Sequence, residues 1–196
     1  MSVEVSKRST ADVELSDSTC TPKWLTDLLP HRDLDPCSNE RAQPIADQRY
    51  HLPEYDGLAL PWCGTAFVNW PFSAPLRFAQ KAQHELREGR CTDLIVLCKL
   101  DCSTKWWREI RRPVPGFVLD LWMPEQRIQY DEHPELVERR RLARIANAAA
   151  AGKPTDGITG DSTANFVSVL FHHRKLETEP WAPFATFAER WTKGNL

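Results

Sequence analysis

The chain has 196 residues, of which 41% are hydrophobic and 27% are charged, and its formal net charge is −2. This length fits one domain with a substantial core and is short for two. No apolar run of the sequence approaches a membrane span, and the polar N-terminus lacks the apolar segment of a signal peptide, so we expect a cytoplasmic protein. The acidic balance excludes a uniformly basic nucleic-acid-binding domain, so any such contact must use a local positive face.

The six cysteines show no metal-binding pattern. They include no Cys-x-x-Cys pair, and the nearby histidines do not complete a metal-binding spacing. We therefore expect free thiols and no bound metal.

The N-terminal part of the chain predicts a tail, a short helix and a short strand. Residues 1–18 are polar and without periodicity, which predicts a disordered tail ahead of a domain over residues 19–196. Thr19 to Leu29 predicts a helix with proline in its first turn. Asp33 to Pro36 predicts a strand that runs into a turn, where Asp35 can accept hydrogen bonds from a ligand. Asp-Pro is also an ordinary turn opener, which is the alternative.

The most informative segment is Asn69-Trp70-Pro71-Phe72, which follows the apolar, β-prone run Ala66-Phe67-Val68. Ser73 and Pro75 then open a helix that continues to about Gly89. The tetrapeptide therefore lies at the carboxyl end of a strand, which is the edge where open α/β sheets bind ligands.

The residue types of this tetrapeptide suit the binding of a flipped-out base by its exocyclic amino group. The lone pair of such an amine is delocalised into the ring. Two acceptors aimed at its N–H groups would localise that lone pair and stabilise the developing positive charge, and these can be the side-chain carbonyl of Asn69 and the main-chain carbonyl of Trp70. Phe72 can stack on the base, a contact worth roughly 1–3 kcal/mol. The alternative is a turn with two buried aromatic side chains.

The next elements continue an α/β pattern. Leu94 to Leu97 predicts a buried parallel strand, reached from the previous strand by a right-handed helical crossover. Ser103 can cap a helix that continues through Arg111. Trp106 and Trp107 point in different directions on that helix, so both are buried only if the helix is largely buried, and otherwise one can face DNA.

The C-terminal part predicts two further strands, Phe117 to Trp122 and Asn165 to Phe171, the second followed by a solvated His-His-Arg-Lys loop. Between them, residues 131–160 form a predicted helical insertion. Its helix, Glu135 to Lys153, carries five basic and two acidic residues within an acidic protein. This segment is the strongest candidate for phosphate contacts, and a solvated charged face is the alternative.

Six segments of the chain, over roughly residues 19 to 171, share one family pattern in their order and spacing. They are Thr21-Pro22-Lys23-Trp24-Leu25, Asp33-Leu34-Asp35-Pro36-Cys37-Ser38-Asn39, Asp56-Gly57-Leu58, Trp62 with Gly64, Phe67-Val68-Asn69-Trp70-Pro71-Phe72-Ser73, and Ser103-Thr104-Lys105-Trp106-Trp107. Together they resemble the phage-type DNA N6-adenine methyltransferase (Dam) family. The resemblance implies an α/β domain with a mainly parallel sheet flanked by helices, which is the Rossmann-like fold of S-adenosylmethionine-dependent methyltransferases, and methyl transfer to N6 of adenine in DNA.

The resemblance also implies roles for individual residues. The catalytic group would be Asn69, Trp70, Pro71 and Phe72. The cofactor S-adenosylmethionine would be bound by Thr21, Pro22, Asp35, Pro36, Cys37, Asp56 and Asn69. We expect DNA contacts from Ser73, Lys105, Trp106, Arg139, Arg140, Arg141 and Arg144. For Asp56-Gly57 the alternative is a plain hairpin turn.

One departure from the family pattern concerns Trp70, because the family motif has proline at this position. The acceptor there is a main-chain carbonyl, so the substitution does not delete it. Pro71 still holds Trp70 in the extended region, but the fixed backbone angle of the missing proline is lost.

Three other functions stay open at this point. N4-cytosine transfer uses the same amine chemistry. A catalytically silent cofactor-binding or DNA-binding protein is compatible with Trp70. A single-strand nucleic-acid-binding module would use the many aromatic side chains as stacking platforms.

Overall fold

A six-stranded sheet organises the part of the chain that the computed structural model describes, residues 10–124, 127–161 and 166–179. The elements in chain order are α1 (Thr10–Asp17), α2 (Lys23–Thr26), β1 (Arg32–Asp35), β2 (Ala46–Arg49), β3 (Gly64–Asn69), α3 (Pro75–Arg87), β4 (Cys91–Lys99), α4 (Lys105–Ile110), β5 (Phe117–Trp122), α5 (Pro134–Ala150) and β6 (Ser168–Lys175).

The strand order is β2-β1-β3-β4-β6-β5. The first four strands of this order pair in parallel, whereas β6 is antiparallel to both of its neighbours, β4 and β5. An α/β sheet flanked by helices is confirmed, but the prediction of a mainly parallel sheet is wrong because the sheet is mixed. The long connection from β5 to β6 allows the chain to return in either direction, so the residues of β6 alone do not determine its orientation.

The order of the strands creates a crevice at β1. Strand β2 lies on one side of β1 and β3 lies on the other, so the loops that leave β1 and β3 diverge at their carboxyl ends. Such a switch point is where open α/β sheets bind ligands. Asp35 ends β1 and Asn69 ends β3, so both residues flank this crevice.

Two apolar clusters cover the two faces of the sheet, because successive residues of each strand point to opposite faces. One cluster includes Val68 and Val96 and is covered by α3 and α4. The other includes Phe67 and Ile95 and receives Leu25 from α2. The buried residues of α3 recur at helical spacing, as the sequence predicts.

Several predicted boundaries agree with the structure and others require correction. The helix predicted from Pro75 is α3, and Gly89, with a φ of 70°, follows its end. The cap of α4 is Thr104 and not Ser103, because the Thr104 hydroxyl accepts the Trp107 amide at 3.3 Å. Helix α1 occupies part of the segment predicted as a disordered tail, and residues 1–9 of that segment lie outside the described residues.

The predicted solvated loop after the last strand is wrong. His172 and His173 belong to β6 and are each 2% exposed. His172 lies 2.9 Å from the Asp93 carboxylate, which also pairs with Arg32 at 2.6 Å. These partners explain how His172 is accommodated inside the sheet.

Within residues 10–124, 127–161 and 166–179, no helix combines the length and the apolarity needed to cross a membrane. The same residues contain no group of three or more His, Cys, Asp or Glu side chains that could hold a metal ion.

Candidate functional site

A cleft with an empty volume of about 300 Å³ opens at the carboxyl ends of β1 and β3. Its lining residues are Thr19, Cys20, Thr21, Thr26, Asp35, Cys37, Asn39, Ala42, Gln43, Ile45, Phe67 and Asn69. Four of the residues assigned to the cofactor, Thr21, Asp35, Cys37 and Asn69, therefore line one cavity.

Asp35 is the acidic group of this cleft and is 5% exposed. Its Oδ1 atom accepts a hydrogen bond from the Cys37 amide at 3.0 Å. Burial raises the pKa of Asp35 to about 6, and the Cys37 amide, the Ser38 side chain and the charge of Arg49 offset this effect only in part. Near neutral pH the carboxylate is ionised in a poorly solvated position, so a ligand that brings a hydrogen-bond donor or a positive charge would stabilise it.

The turn after β1 packs against the turn at Asp56 beside the cleft. A Cβ atom on Gly57 would lie 1.9 Å from the main-chain oxygen of Pro36, so this approach requires glycine. Asp56 is exposed, and its Oδ1 accepts the Leu58 amide at 2.8 Å in an Asx turn. Burial raises the pKa of the Cys37 thiol well above its usual value, so this thiol is neutral and is a poor nucleophile. Pro36 and Asp56 adjoin the cleft but do not line it.

Asn69 is held by a contact that leaves its acceptor atom available. Its Nδ2 atom donates to the Thr21 hydroxyl at 3.1 Å. The side-chain carbonyl of Asn69 is then the atom that can accept a hydrogen bond from a ligand. Thr21 is 6% exposed, and the buried Pro22 next to it begins α2 as its N-cap, so the segment that holds Asn69 is packed into the protein.

Trp70 anchors the tetrapeptide in the core. Its indole is 4% exposed and meets the Trp106 ring edge to face, with 5.6 Å between the ring centroids. None of the described residues donates a hydrogen bond to the Trp70 carbonyl oxygen, so this oxygen can accept from a ligand. The buried indole therefore restrains the backbone where the family motif has proline.

Phe72 presents part of its ring to solvent and is 37% exposed. Phe166 and Tyr130 contact it edge to face, at centroid distances of 5.6 and 6.3 Å. The Lys99 ammonium lies 5.5 Å from the centroid of the Phe166 ring. These neighbours fix the orientation of Phe72 and leave an exposed aromatic surface on which a base can stack.

The three residues assigned to DNA near this motif have different surroundings. Ser73 is exposed, but its hydroxyl and its amide both donate to the Asp17 carboxylate, the amide at 3.1 Å. Lys105 is exposed at the start of α4. Trp106 is 8% exposed and belongs to the core, so the structure favours the buried alternative for this side chain.

Two arginines of α5 form exposed ion pairs on the helix surface. Arg139 pairs with Glu135 at 2.6 Å, and Arg141 pairs with Glu138 at 3.0 Å. All four side chains are more than 40% exposed, and exposed pairs of this kind contribute little to stability. Arg141 can therefore exchange its carboxylate for a phosphate at small cost.

The other two arginines of α5 hold the insertion together. Arg140 contacts the Glu132 carboxylate at 2.9 Å, and Arg144 donates to the main-chain oxygen atoms of residues 159 and 161 at 2.8 and 3.0 Å. Gly160 packs closely on this helix, because a Cβ atom there would lie 1.8 Å from the Val137 oxygen. Arg140 and Arg144 thus have structural contacts that a phosphate would have to displace.

Sequence reasoning missed several polar groups of the site. Asn39 and Gln43 line the cleft, and the Asn39 Oδ1 atom accepts the Cys20 thiol at 3.3 Å. Asn39 lies in the turn that begins at Asp35, and this proximity was a usable signal. The sequence contains no comparable signal for Asp17, because its partner, Ser73, is 56 positions away in the chain.

A family model described as DNA N-6-adenine-methyltransferase (Dam) matches residues 8–155. The matched range includes every residue that lines the cleft and the whole tetrapeptide. The mixed six-stranded sheet with flanking helices is consistent with a methyltransferase-like fold. No curated protein and no solved structure matches the chain.

Proposed function

The chain belongs to the DNA N-6-adenine-methyltransferase (Dam) family, and from this premise we propose that it transfers the methyl group of S-adenosylmethionine to N6 of adenine in DNA. The observation that carries the proposal is the convergence of Thr21, Asp35 and Asn69 on one cleft at the carboxyl edge of the sheet. Asp35, whose buried carboxylate suits the cofactor, and Asn69, whose amide carbonyl suits the target amine, thereby line the same cavity.

The groups of the cleft fit S-adenosylmethionine, which supplies an electrophilic methyl group when bound. Asp35 is a buried acceptor for the ammonium or the ribose hydroxyls of the cofactor. Asn39 and Gln43 add amide donors and acceptors. The lining of the cleft does not include Pro36 and Asp56. We therefore assign Pro36 and Asp56, which adjoin the cleft, to the part of the cofactor that extends beyond the lining.

The acceptors at the end of β3 would activate the target amine. The Asn69 side-chain carbonyl and the Trp70 main-chain carbonyl each accept one N–H group, which localises the nitrogen lone pair and stabilises positive charge as it develops. Both acceptors are preorganised, Asn69 by Thr21 and Trp70 by its buried indole. Phe72 stacks on the base and offsets part of the few kcal/mol that flipping the base costs.

DNA would approach the carboxyl edge of the sheet. Lys99 ends β4, the strand beside β3, and Lys105 begins α4, the helix that follows β4. Both lysines are exposed near this edge. Arg139 and Arg141 on α5 offer additional cations, which pair with the exposed carboxylates of Glu135 and Glu138. Phosphate contacts of this kind supply affinity that depends on salt and carries no sequence information.

The decisive experiment is methyl transfer from labelled S-adenosylmethionine to DNA, followed by digestion to nucleosides. We expect the label in N6-methyldeoxyadenosine. The matched control is Asn69→Ala, which removes one acceptor. Because Asp35 and the other lining residues remain, calorimetric titration should still show cofactor binding.

Other outcomes would contradict the proposal in distinct ways. Label in N4-methyldeoxycytidine would assign the same amine chemistry to the other base. Cofactor binding without transfer would indicate a silent relative. DNA binding that depends on salt, with no affinity for the cofactor, would indicate a nucleic-acid-binding module.

A further inference from the structure

The segment 17–21, here named the brace, contacts Asn69 at the start of the tetrapeptide and Ser73 directly after its end. At one end, the Thr21 hydroxyl accepts the Asn69 amide at 3.1 Å. At the other end, the Asp17 carboxylate accepts both the hydroxyl and the amide of Ser73, the residue that follows Phe72. A stretch of five residues thus spans the loop that carries both proposed acceptors.

The brace is itself fixed to the rest of the protein. Cys20 exchanges two main-chain hydrogen bonds with Asp131, at 2.9 and 3.0 Å. The Arg41 guanidinium donates to the Ser18 oxygen at 3.2 Å and to the Glu132 oxygen at 2.9 Å. The contacts of Ser18 and Cys20 fix the middle of the brace, so its two ends, Asp17 and Thr21, can hold the tetrapeptide in place.

The tetrapeptide needs such support because of Trp70. Proline at that position would fix one backbone angle through its ring, whereas at Trp70 this angle is held only by the packing of the buried indole. The Trp70 carbonyl is a proposed acceptor, so a change in this angle would turn it away from the amine. Asp17 removes part of this freedom by fixing the backbone at Ser73 with one hydrogen bond to its amide and a second to its side chain.

We infer that Asp17 is a positioning residue, which acts through Ser73 to hold the acceptors of the tetrapeptide and replaces the restraint of the missing proline. The inference rests on the proposed function of Asn69 and Trp70. The alternative is that Asp17 inhibits DNA binding, because its carboxylate occupies the Ser73 amide and hydroxyl, two donors that could bind a DNA phosphate. The two hypotheses predict opposite effects of removing Asp17.

The experiment compares Asp17→Ala with the wild-type protein in steady-state methyl transfer to DNA. Because small misplacements of catalytic groups are costly, kcat should fall roughly 10- to 100-fold, while KM for DNA and cofactor affinity stay unchanged. Ser73→Ala keeps the amide and should lose less. Asp27→Ala is the matched control, because Asp27 is an exposed acid that pairs with Lys23 outside the brace. Unchanged kcat, or tighter DNA binding with faster turnover, in Asp17→Ala would overturn the inference.

A double-mutant cycle with Trp70→Pro separates positioning from a general loss of stability. If proline restores the restraint, Asp17→Ala should cost less than about threefold in that background, a coupling expected only of groups that share one task. If both substitutions have independent effects, Asp17 does not replace the proline.

Hydrogen exchange at the Ser73 amide tests the brace without requiring activity or the folding of Trp70→Pro. The amide should exchange faster in Asp17→Ala than in Asp27→Ala, with the sheet still protected. Equal exchange would refute the inference. A wild-type protein that methylates no adenine would instead refute the proposed function, whatever the exchange shows.

Discussion

Helix α5 and the cleft at the end of β1 both carry charge, but among the described residues the arginines of α5 form close contacts with acceptors whereas Asp35 in the cleft forms no ion pair. Each arginine among Arg139, Arg140, Arg141 and Arg144 contacts an acidic side chain or a main-chain oxygen. Asp35 in the cleft accepts the Cys37 amide, and burial raises its pKa to about 6 although that amide, the Ser38 side chain and the charge of Arg49 act in the opposite direction. A buried charged group whose lost hydration is only partly replaced by protein contacts is therefore a stronger indicator of a binding site than a high density of charge.

Removal of the Asn69 amide should have the largest effect. Asn69→Ala deletes an acceptor aimed at the reacting amine, so methyl transfer should fall by roughly 100-fold or more, as for other preorganised charge-stabilising groups. Asn147→Ala, which removes an exposed amide from α5, should leave the rate unchanged. The rates are measured with saturating cofactor. A stable Asn69→Ala protein with the wild-type rate would exclude the tetrapeptide from the active site.

Asp35 should show the next largest effect, on cofactor affinity. Asp35→Ala removes a charged acceptor, so binding of S-adenosylmethionine should weaken by about 1.5–3 kcal/mol with the fold intact. Calorimetric titration measures this loss, and Asp47→Ala, an exposed acid of β2, is the control. Wild-type affinity in Asp35→Ala would show that Asp35 does not hold the cofactor.

The same residue predicts a pH dependence with a definite sign. As the pH falls through about 6, Asp35 takes up a proton, and cofactor affinity should fall by up to tenfold per pH unit. The folded-state pKa lies above the ordinary 3.8, so protonation of Asp35 stabilises the free protein between these values. A loss of cofactor affinity just below this pKa would therefore not result from unfolding caused by protonation of Asp35. Asp35→Asn should remove the pH dependence, and its persistence would assign it to another group.

Local patterns predicted most of the elements. Helix α3 begins at the predicted Pro75, and β5 has the predicted bounds, because hydrophobic periodicity and turn residues act over short distances. The orientation of β6 and the burial of His172 depend on partners far away in the chain, such as Asp93, and no local pattern contains them.

The candidate site divides in the same way. The family pattern placed Thr21, Asp35 and Asn69 in the site, and the structure brings them together in the cleft. The ion pairs of α5 could be predicted from the sequence only in part, because Glu135 and Glu138 lie at helical spacing from their arginines but Glu132 precedes the helix. The contact of Asp17 with Ser73 had no local signal.

The arginines of α5 should separate into two functional pairs. Arg139→Gln with Arg141→Gln frees two exposed carboxylates and should weaken DNA binding at all sequences, lowering the salt dependence by about two units of slope. Arg140→Gln with Arg144→Gln should instead lower the free energy of unfolding by about 1–3 kcal/mol, because the partly buried Glu132 carboxylate and the main-chain oxygen atoms of residues 159 and 161 lose their donors. Fluorescence titrations at several salt concentrations and denaturant unfolding measure the two effects. Equal effects of the two pairs on DNA affinity would contradict this division.

Lys105 should have the smallest measurable effect, and it tests whether the carboxyl edge of the sheet is where DNA approaches. Lys105→Gln removes one exposed cation from the start of α4, so DNA affinity should weaken at all sequences and the salt slope should fall by about one unit, with cofactor affinity unchanged. The matched control is Arg87→Gln, because Arg87 is exposed at the carboxyl end of α3, away from the edge of the sheet where Lys105 lies. Equal slopes in the two variants would mean that phosphate contacts do not distinguish the two edges. A reduced slope only in Lys105→Gln would place a phosphate beside the loop that follows β4, next to the strand that carries Asn69.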